Sequence, residues 1–149
     1  MAHDATVRGL GVSVGDEGAG APVVLLAARD EVVPIFISRD QAQSIQQALD
    51  GERFERPLTH DLLVDMLAEF GGAIDRVRID GLEDGTFLAK VDAEQYHGGE
   101  RAKKVFDARP SDAIALALRE ESPIEVSDDV IDQAGRSEGE FDARGAFED

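Results

Sequence analysis

The hydrophobic pattern of the chain is clearest at positions 102–119, where a strand-like segment leads into an almost wholly apolar helix. Arg109 precedes Pro110, and this order pushes the Arg109 backbone toward extended angles and favours Pro110 as the first helical residue. Asp112 falls in the first turn, where a carboxylate meets the positive end of the helix dipole. Because the next residues are apolar on nearly all sides, the pattern predicts a buried helix that begins at a polar corner.

A second polar corner, at Arg56–Pro57, precedes another helix. Thr59 is the predicted N-cap of this helix, and an apolar stripe that ends at Phe70 predicts that the helix runs up to the Gly71–Gly72 pair. This corner resembles the one at Arg109, since each places an Arg, a Pro and an acidic residue at a helix start. We therefore predict that the two corners meet in space and share one pocket.

The remaining pattern predicts a chain of short strands with two more helices. Alternating or apolar segments predict strands at 7–14, 23–27, 32–37, 74–79, 86–91, 102–108 and 124–126. Helices are predicted at 39–49, capped by Ser38, and at 128–134, capped by Ser127. Asp84–Gly85 is a hairpin turn signal, while the glycine-rich segment 15–21 and the polar segment 92–101 are predicted as a turn and a loop.

This order of elements predicts an α+β fold with a mixed, largely antiparallel sheet. The segments IFISRDQAQSIQQAL and VFDARPSDAIALAL both read as a strand, an Arg and a helix, which is a weak internal repeat. Each half is too short to fold well alone, so we predict one compact domain over residues 1–134. Residues 135–149 are predicted to form an acidic, mobile C-terminal tail.

Composition adds a strong acidic balance to this picture. The 149 residues carry a formal net charge of −17, with 32 acidic and 15 basic residues, and contain no Cys. The charge is typical of a folded protein from a high-salt cytoplasm, where salt screens the self-repulsion of the surface. No apolar run is long enough to span a membrane, which predicts a soluble, cytoplasmic protein. This acidic surface repels a phosphate backbone on average. Nucleic acid can therefore approach the protein only at a local Arg cluster, in high salt or through a bound cation.

Three motifs in one order resemble the bifunctional nuclease domain family. They are RPLTHDLL at 56–63, DGTF at 84–87 and DARPSDAIALALR at 107–119. The resemblance implies a small α+β domain, a homodimer and a nuclease that cleaves both DNA and RNA. The site residues it implies are Arg56, Thr59, His60, Asp61, Asp107, Arg109, Ser111 and Asp112.

Phosphodiester hydrolysis needs an activated water and stabilisation of charge on the phosphate. Asp61, Asp107 and Asp112 are the predicted ligands of a Mg²⁺ or Mn²⁺ ion, because carboxylates hold such ions. His60 is the predicted general acid or base, and the three carboxylates share this catalytic role. Phosphate binding is assigned to four residues, with Arg as the clamp: Arg56, Arg109, Thr59 and Ser111.

Each of these residues also has a structural interpretation. Asp61 and Asp112 can serve only as helix caps, and Arg109 can form a structural ion pair with Asp107 or Asp112. His60 can be a capping or surface residue. The alternatives to a nuclease are therefore a non-catalytic module that binds an anion or other ligand, and a structural dimer of the same fold.

Overall fold

The computed structural model of the chain describes residues 1–14, 20–138 and 147–148. The strands are β1 (Ala2–Val14), β2 (Pro22–Ala28), β3 (Glu31–Phe36), β4 (Gly72–Glu83), β5 (Thr86–His97), β6 (Glu100–Ala108), β7 (Ile124–Ser127) and β8 (Phe147–Glu148). The helices are α1 (Arg39–Asp50), α2 (Thr59–Glu69), α3 (Pro110–Glu120) and α4 (Asp128–Ala134). Part of the predicted turn at 15–21 and part of the tail lie outside the described residues.

A mixed sheet in the order β3-β2-β1-β7-β4-β5-β6 organises the domain, and β8 lies beside β1. Sequential strands pair antiparallel, whereas β4 and β7 run parallel with Val77 opposite Ile124. Parallel strands need a long connection between them. The chain supplies it here, since β5, β6 and α3 lie between β4 and β7 in sequence. The predicted α+β class and the mixed, largely antiparallel sheet are therefore confirmed.

The buried helix predicted after Arg109 is α3. Ala113, Ile114 and Ala117 are fully buried, and α3 contacts β4 and β5 of the sheet as well as α1 and α2. Pro110 is its first residue, and the extended backbone of Arg109 precedes it as predicted. Because α3 lies at the centre of these contacts, its two ends have defined positions relative to every neighbouring helix.

The segment 92–101 corrects the prediction of a loop. β5 continues to His97 and β6 begins at Glu100, so most of this polar segment is a hairpin around Gly98–Gly99. Arg101 pairs with Glu94 between the two strands. The alternation was missed because residues on both faces of this hairpin are largely exposed, which removes the apolar positions that mark a strand.

Two element starts also differ from the sequence prediction. β1 begins at Ala2 rather than at position 7, because its first residues pair with β7. Leu58, not Thr59, is the N-cap of α2, and the Asp61 carboxylate accepts the Leu58 N–H at 3.0 Å. The first turn of α2 is thus capped by an acid from within the helix.

The chain beyond α4 pairs with the sheet where it is described. The backbone of Arg136 exchanges two hydrogen bonds of 2.8 Å with Val32, and β8 pairs parallel with β1. The boundary at residue 134 and the mobility of the tail stay predictions. None of the helices in the described ranges is long and apolar enough to cross a membrane.

We predict that Gly71→Ala destabilises the fold more than Gly85→Ala. Both glycines have a φ of 79°, where a side chain costs about 1–2 kcal/mol. A Cβ at Gly71 would lie 2.8 Å from the Tyr96 carbonyl oxygen, whereas nothing lies within 4 Å of one at Gly85. Overpacking should add about 1–3 kcal/mol at Gly71. Urea unfolding of both variants in the same salt measures the difference, and equal losses would contradict the predicted clash.

Candidate active site

The two predicted corners meet at Asp112. His60 Nε2 lies 2.8 Å from Asp112 Oδ1, although the two residues are 52 positions apart in the chain. Arg109 Nε donates to the second oxygen, Asp112 Oδ2, at 2.9 Å. One carboxylate in the first turn of α3 therefore joins an imidazole from the first turn of α2 to a guanidinium from the loop before α3.

Ser44 completes this cluster and was missed by the sequence analysis. Its Oγ lies 2.6 Å from His60 Nδ1, and its side chain is buried on the inner face of α1 beside Ile45. A small polar residue on a buried helix face was the available signal, but such a residue has no preferred partner in sequence. The contact depends on how α1 packs near the start of α2.

Asp112 is ionised at neutral pH. Burial alone would raise the pKa of its carboxyl, but hydrogen bonds from Arg109 and His60 outweigh burial and hold the pKa below its usual range. An ionised carboxylate only accepts hydrogen bonds, so His60 Nε2 carries a proton and donates it to Asp112. In the neutral ring, Nδ1 is then the basic nitrogen and accepts the Ser44 hydroxyl.

Asp61 lies outside this cluster. Its carboxylate accepts from Arg119 Nε at 2.8 Å, and the two side chains are only 6% and 7% exposed. Arg119 also donates to Gln47 Oε1 at 2.7 Å. Burial raises the pKa of Asp61, but the hydrogen bonds from Arg119 and from the Leu58 N–H lower it by more. Asp61 is thus one half of a buried ion pair between α2 and α3.

The other predicted residues are spread around the cluster. Asp107 is exposed at the end of β6 and pairs with Lys90 Nζ at 2.7 Å. Ser111 is buried, and the exposed Thr59 lines the cavities beside His60. Arg56 is exposed in the segment before α2, and the hydrogen bonds of His60 and Asp112 in the described chain do not include it. Of the eight candidates, the structure joins His60, Arg109 and Asp112 directly.

The residues present do not fit a preformed ion site held by protein alone. Asp61, Asp107 and Asp112 are each paired with a different cation: Arg119, Lys90 and Arg109. Across residues 1–14, 20–138 and 147–148, no group of three or more His, Cys, Asp or Glu could hold a metal ion. The predicted sharing of one ion by these three aspartates stays a prediction.

His60, Arg109 and Asp112 line two cavities. One has a volume of about 380 Å³, and the residues that line it include the polar Gln41 and Ser44. The other has a volume of about 530 Å³ and mainly apolar walls that include Phe106. A substrate in either cavity would contact the imidazole and the guanidinium together, so the cluster has the access that a catalytic site needs.

The structure is a small α+β domain in which one carboxylate accepts hydrogen bonds from an imidazole and a guanidinium. Comparison with known proteins defines the class further. The family model of the bifunctional nuclease domain matches residues 23–139, and the chain belongs to this family.

Two kinds of relative share this domain. An uncharacterized protein of Mycobacterium tuberculosis strain H37Rv is 40% identical over 131 residues, which cover 87% of this chain and 75% of that protein. Bifunctional nuclease 1 of Oryza sativa subsp. indica is 30% identical over 103 residues, covering 66% of this chain and 29% of the rice protein. Bifunctional nuclease 2 of Oryza sativa subsp. japonica is 26% identical over 113 residues, covering 74% and 34%.

We predict that Asp61→Asn destabilises the fold far more than Asp65→Asn on the same helix. The first change leaves the Arg119 charge buried without its partner, which costs about 3–5 kcal/mol. Asp65 pairs with Arg53 at the surface, where loss of the pair costs little because water solvates both charges. Chemical unfolding at neutral pH measures both variants, and equal effects would contradict the structural role of Asp61.

Asp61→Asn also tests how the stability of the fold depends on pH. The pKa of Asp61 is lowered in the folded protein, so its pair stabilises the fold above the unfolded pKa of about 3.9. That contribution is lost as the pH falls through the folded pKa. Asp61→Asn should therefore lose less stability than the wild type between neutral and acid pH. Asp65→Asn should follow the wild type in the same titration.

Proposed function

We propose that this chain is a nuclease that hydrolyses phosphodiester bonds of DNA and RNA at the His60–Asp112–Arg109 cluster. One observation carries the proposal: Asp112 accepts hydrogen bonds from His60 and from Arg109, so one carboxylate holds an acid–base group beside a phosphate-binding group. The family match and the names of the rice relatives support phosphodiesters as the substrate class.

Each member of the cluster has a distinct part in the proposed reaction. The Arg109 guanidinium, whose side chain is 69% exposed, binds a phosphate oxygen and stabilises its charge. His60 Nδ1 accepts the proton of the Ser44 hydroxyl, which takes a proton from the attacking water in turn. Asp112 keeps the ring oriented and stabilises the imidazolium that forms. The water oxygen bonds to phosphorus, one ester P–O bond breaks, and His60 returns the proton to the leaving oxygen.

A requirement for Mg²⁺ or Mn²⁺ stays a prediction, as do the roles of Arg56, Thr59, Ser111 and Asp107. Mg²⁺ is commonly held by one or two carboxylates together with substrate phosphates. An ion that arrives with the substrate would supply charge neutralisation without a preformed protein site. The steps assigned above to His60, Asp112 and Arg109 do not depend on it.

High salt and a second copy of the chain belong to the same proposal. At a net charge of −17, the surface repels a phosphate backbone on average, and molar salt screens that repulsion. A homodimer is supported by exposed apolar side chains on α2 and on the edge strand β6, which include Met66, Phe70, Val105 and Phe106.

We expect His60→Ala to lower kcat/KM by at least about 100-fold, because general acid–base catalysis commonly contributes that much. The matched control is His97→Ala, since His97 is exposed at the far end of β5 and should leave the rate unchanged. The assay follows cleavage of labelled DNA and RNA in molar KCl with MgCl₂, MnCl₂ or EDTA. Circular dichroism verifies that each variant is folded.

The outcomes of this assay separate the alternatives. A folded His60→Ala protein with the wild-type rate would contradict the proposed chemistry. Full activity in EDTA would contradict a metal requirement only. Absence of cleavage by the wild type under all of these conditions would favour a non-catalytic, anion-binding module, which the exposed Arg109 guanidinium supports.

Ser44→Ala is expected to lower kcat about 10-fold with little change in KM, because it removes a partner that orients a catalytic His. Ser44→Thr keeps the hydroxyl and should restore most of the rate. Steady-state kinetics of the two variants measure this directly. A loss in Ser44→Ala as large as that in His60→Ala would instead show that the proton must pass through the Ser44 hydroxyl.

A further inference from the structure

A third cavity, of about 770 Å³, adjoins the candidate active site. Arg109 lines this cavity and also the two cavities beside His60. Phe36 from β3 and Phe87 from β5 are part of its largely apolar wall, and Lys90 and Asp107 line it as well. Arg109, to which phosphate binding is assigned, is therefore also part of the wall of this cavity.

We propose that this cavity binds the bases of single-stranded nucleic acid on Phe36 and Phe87, and that the adjoining phosphate then lies at Arg109. The inference rests on the proposed nuclease function and specifies its substrate as single-stranded rather than duplex. A single strand exposes the faces of its bases, whereas a duplex buries them in its own stack.

The two rings offer the contact that such a base needs. Phe36 is 50% exposed although it is a large apolar residue, and Phe87 is half-buried and packs against the main core. Both rings line the same cavity, where an aromatic face is a surface on which a base can stack. Aromatic residues are scarce in this chain, which has only seven Phe, one Tyr and no Trp. Two of them nevertheless line the same cavity.

Charge favours stacking over phosphate contacts as the source of affinity. Lys90 is paired with Asp107 at 2.7 Å, and Arg109 with Asp112 at 2.9 Å. The cavity is thus close to charge balance in a protein of net charge −17, so it neither attracts nor repels phosphate strongly. Stacking of a base on an aromatic side chain is worth about 1–3 kcal/mol and does not depend on net charge.

The test measures binding of fluorescent oligonucleotides of one sequence as single-stranded DNA, single-stranded RNA and duplex DNA. Fluorescence anisotropy is recorded with the full chain carrying His60→Gln, which prevents turnover. We expect either single strand to bind at least 10-fold tighter than the duplex. Because at most Lys90 and Arg109 contact phosphates, the slope of log K against log salt should not exceed about 1.4 in magnitude.

Substitutions at Phe36 separate stacking from simple apolar contact. Phe36→Leu keeps an apolar side chain but loses the ring, and should weaken single-strand binding at least 10-fold. Phe36→Trp should keep or tighten it. The matched control is Phe54→Leu, because Phe54 is 45% exposed and does not line this cavity. Thermal melting verifies that all variants are folded.

Equal affinity for duplex and single strand would overturn the inference, as would unchanged binding in Phe36→Leu. A change of oligomeric state in Phe36→Leu without a change in oligonucleotide binding would show that a second copy of the chain occupies the cavity. If the wild type binds single strands through Phe36 but cleaves nothing, the nuclease proposal fails and the base site stands. If cleavage proceeds with the same KM in Phe36→Leu, the base site alone fails.

Discussion

Two neighbouring residues in the first turn of α2 hold that helix against α3 at separate points. His60 contacts Asp112 near the start of α3, and Asp61 contacts Arg119 near its end. These points are about 10 Å apart along α3, given the rise of about 1.5 Å per residue. Successive residues of a helix point about 100° apart, so one side chain reaches the candidate active site while the next enters a buried ion pair. The two contacts together fix the position of α2 on α3.

The candidate site combines access with charge balance. His60, Asp112 and Arg109 lie between cavities, and each charge is already compensated by a neighbour before any substrate arrives. Such a site is preorganised, since its side chains do not need to find their partners during the reaction. In a chain of net charge −17, this balance also provides a surface that a polyanion can approach once salt screens the remainder.

Much of the local structure could be predicted because it depends on local rules. The Arg–Pro corners mark helix starts, the apolar residues after Pro110 specify a buried helix, and Ser38 and Ser127 cap helices as expected. The hairpin at 92–101 could not be predicted in the same way, because a strand without a buried face has no alternating pattern. The convergence of the two corners was predicted from their similarity, and His60 does contact Asp112, but Asp61 pairs with Arg119 outside the cluster.

The sequence by itself determined most of the elements, the fold class and the motifs that mark the family, because propensity, capping and apolar spacing act between residues close in the chain. Tertiary structure alone decided which acids lie at the candidate site. Asp61 was equivalent to Asp112 in sequence, yet packing of α2 on α3 buries it against Arg119. The same packing brings Ser44 to His60. Such partners depend on the rotation and crossing of whole helices, which no local spacing specifies.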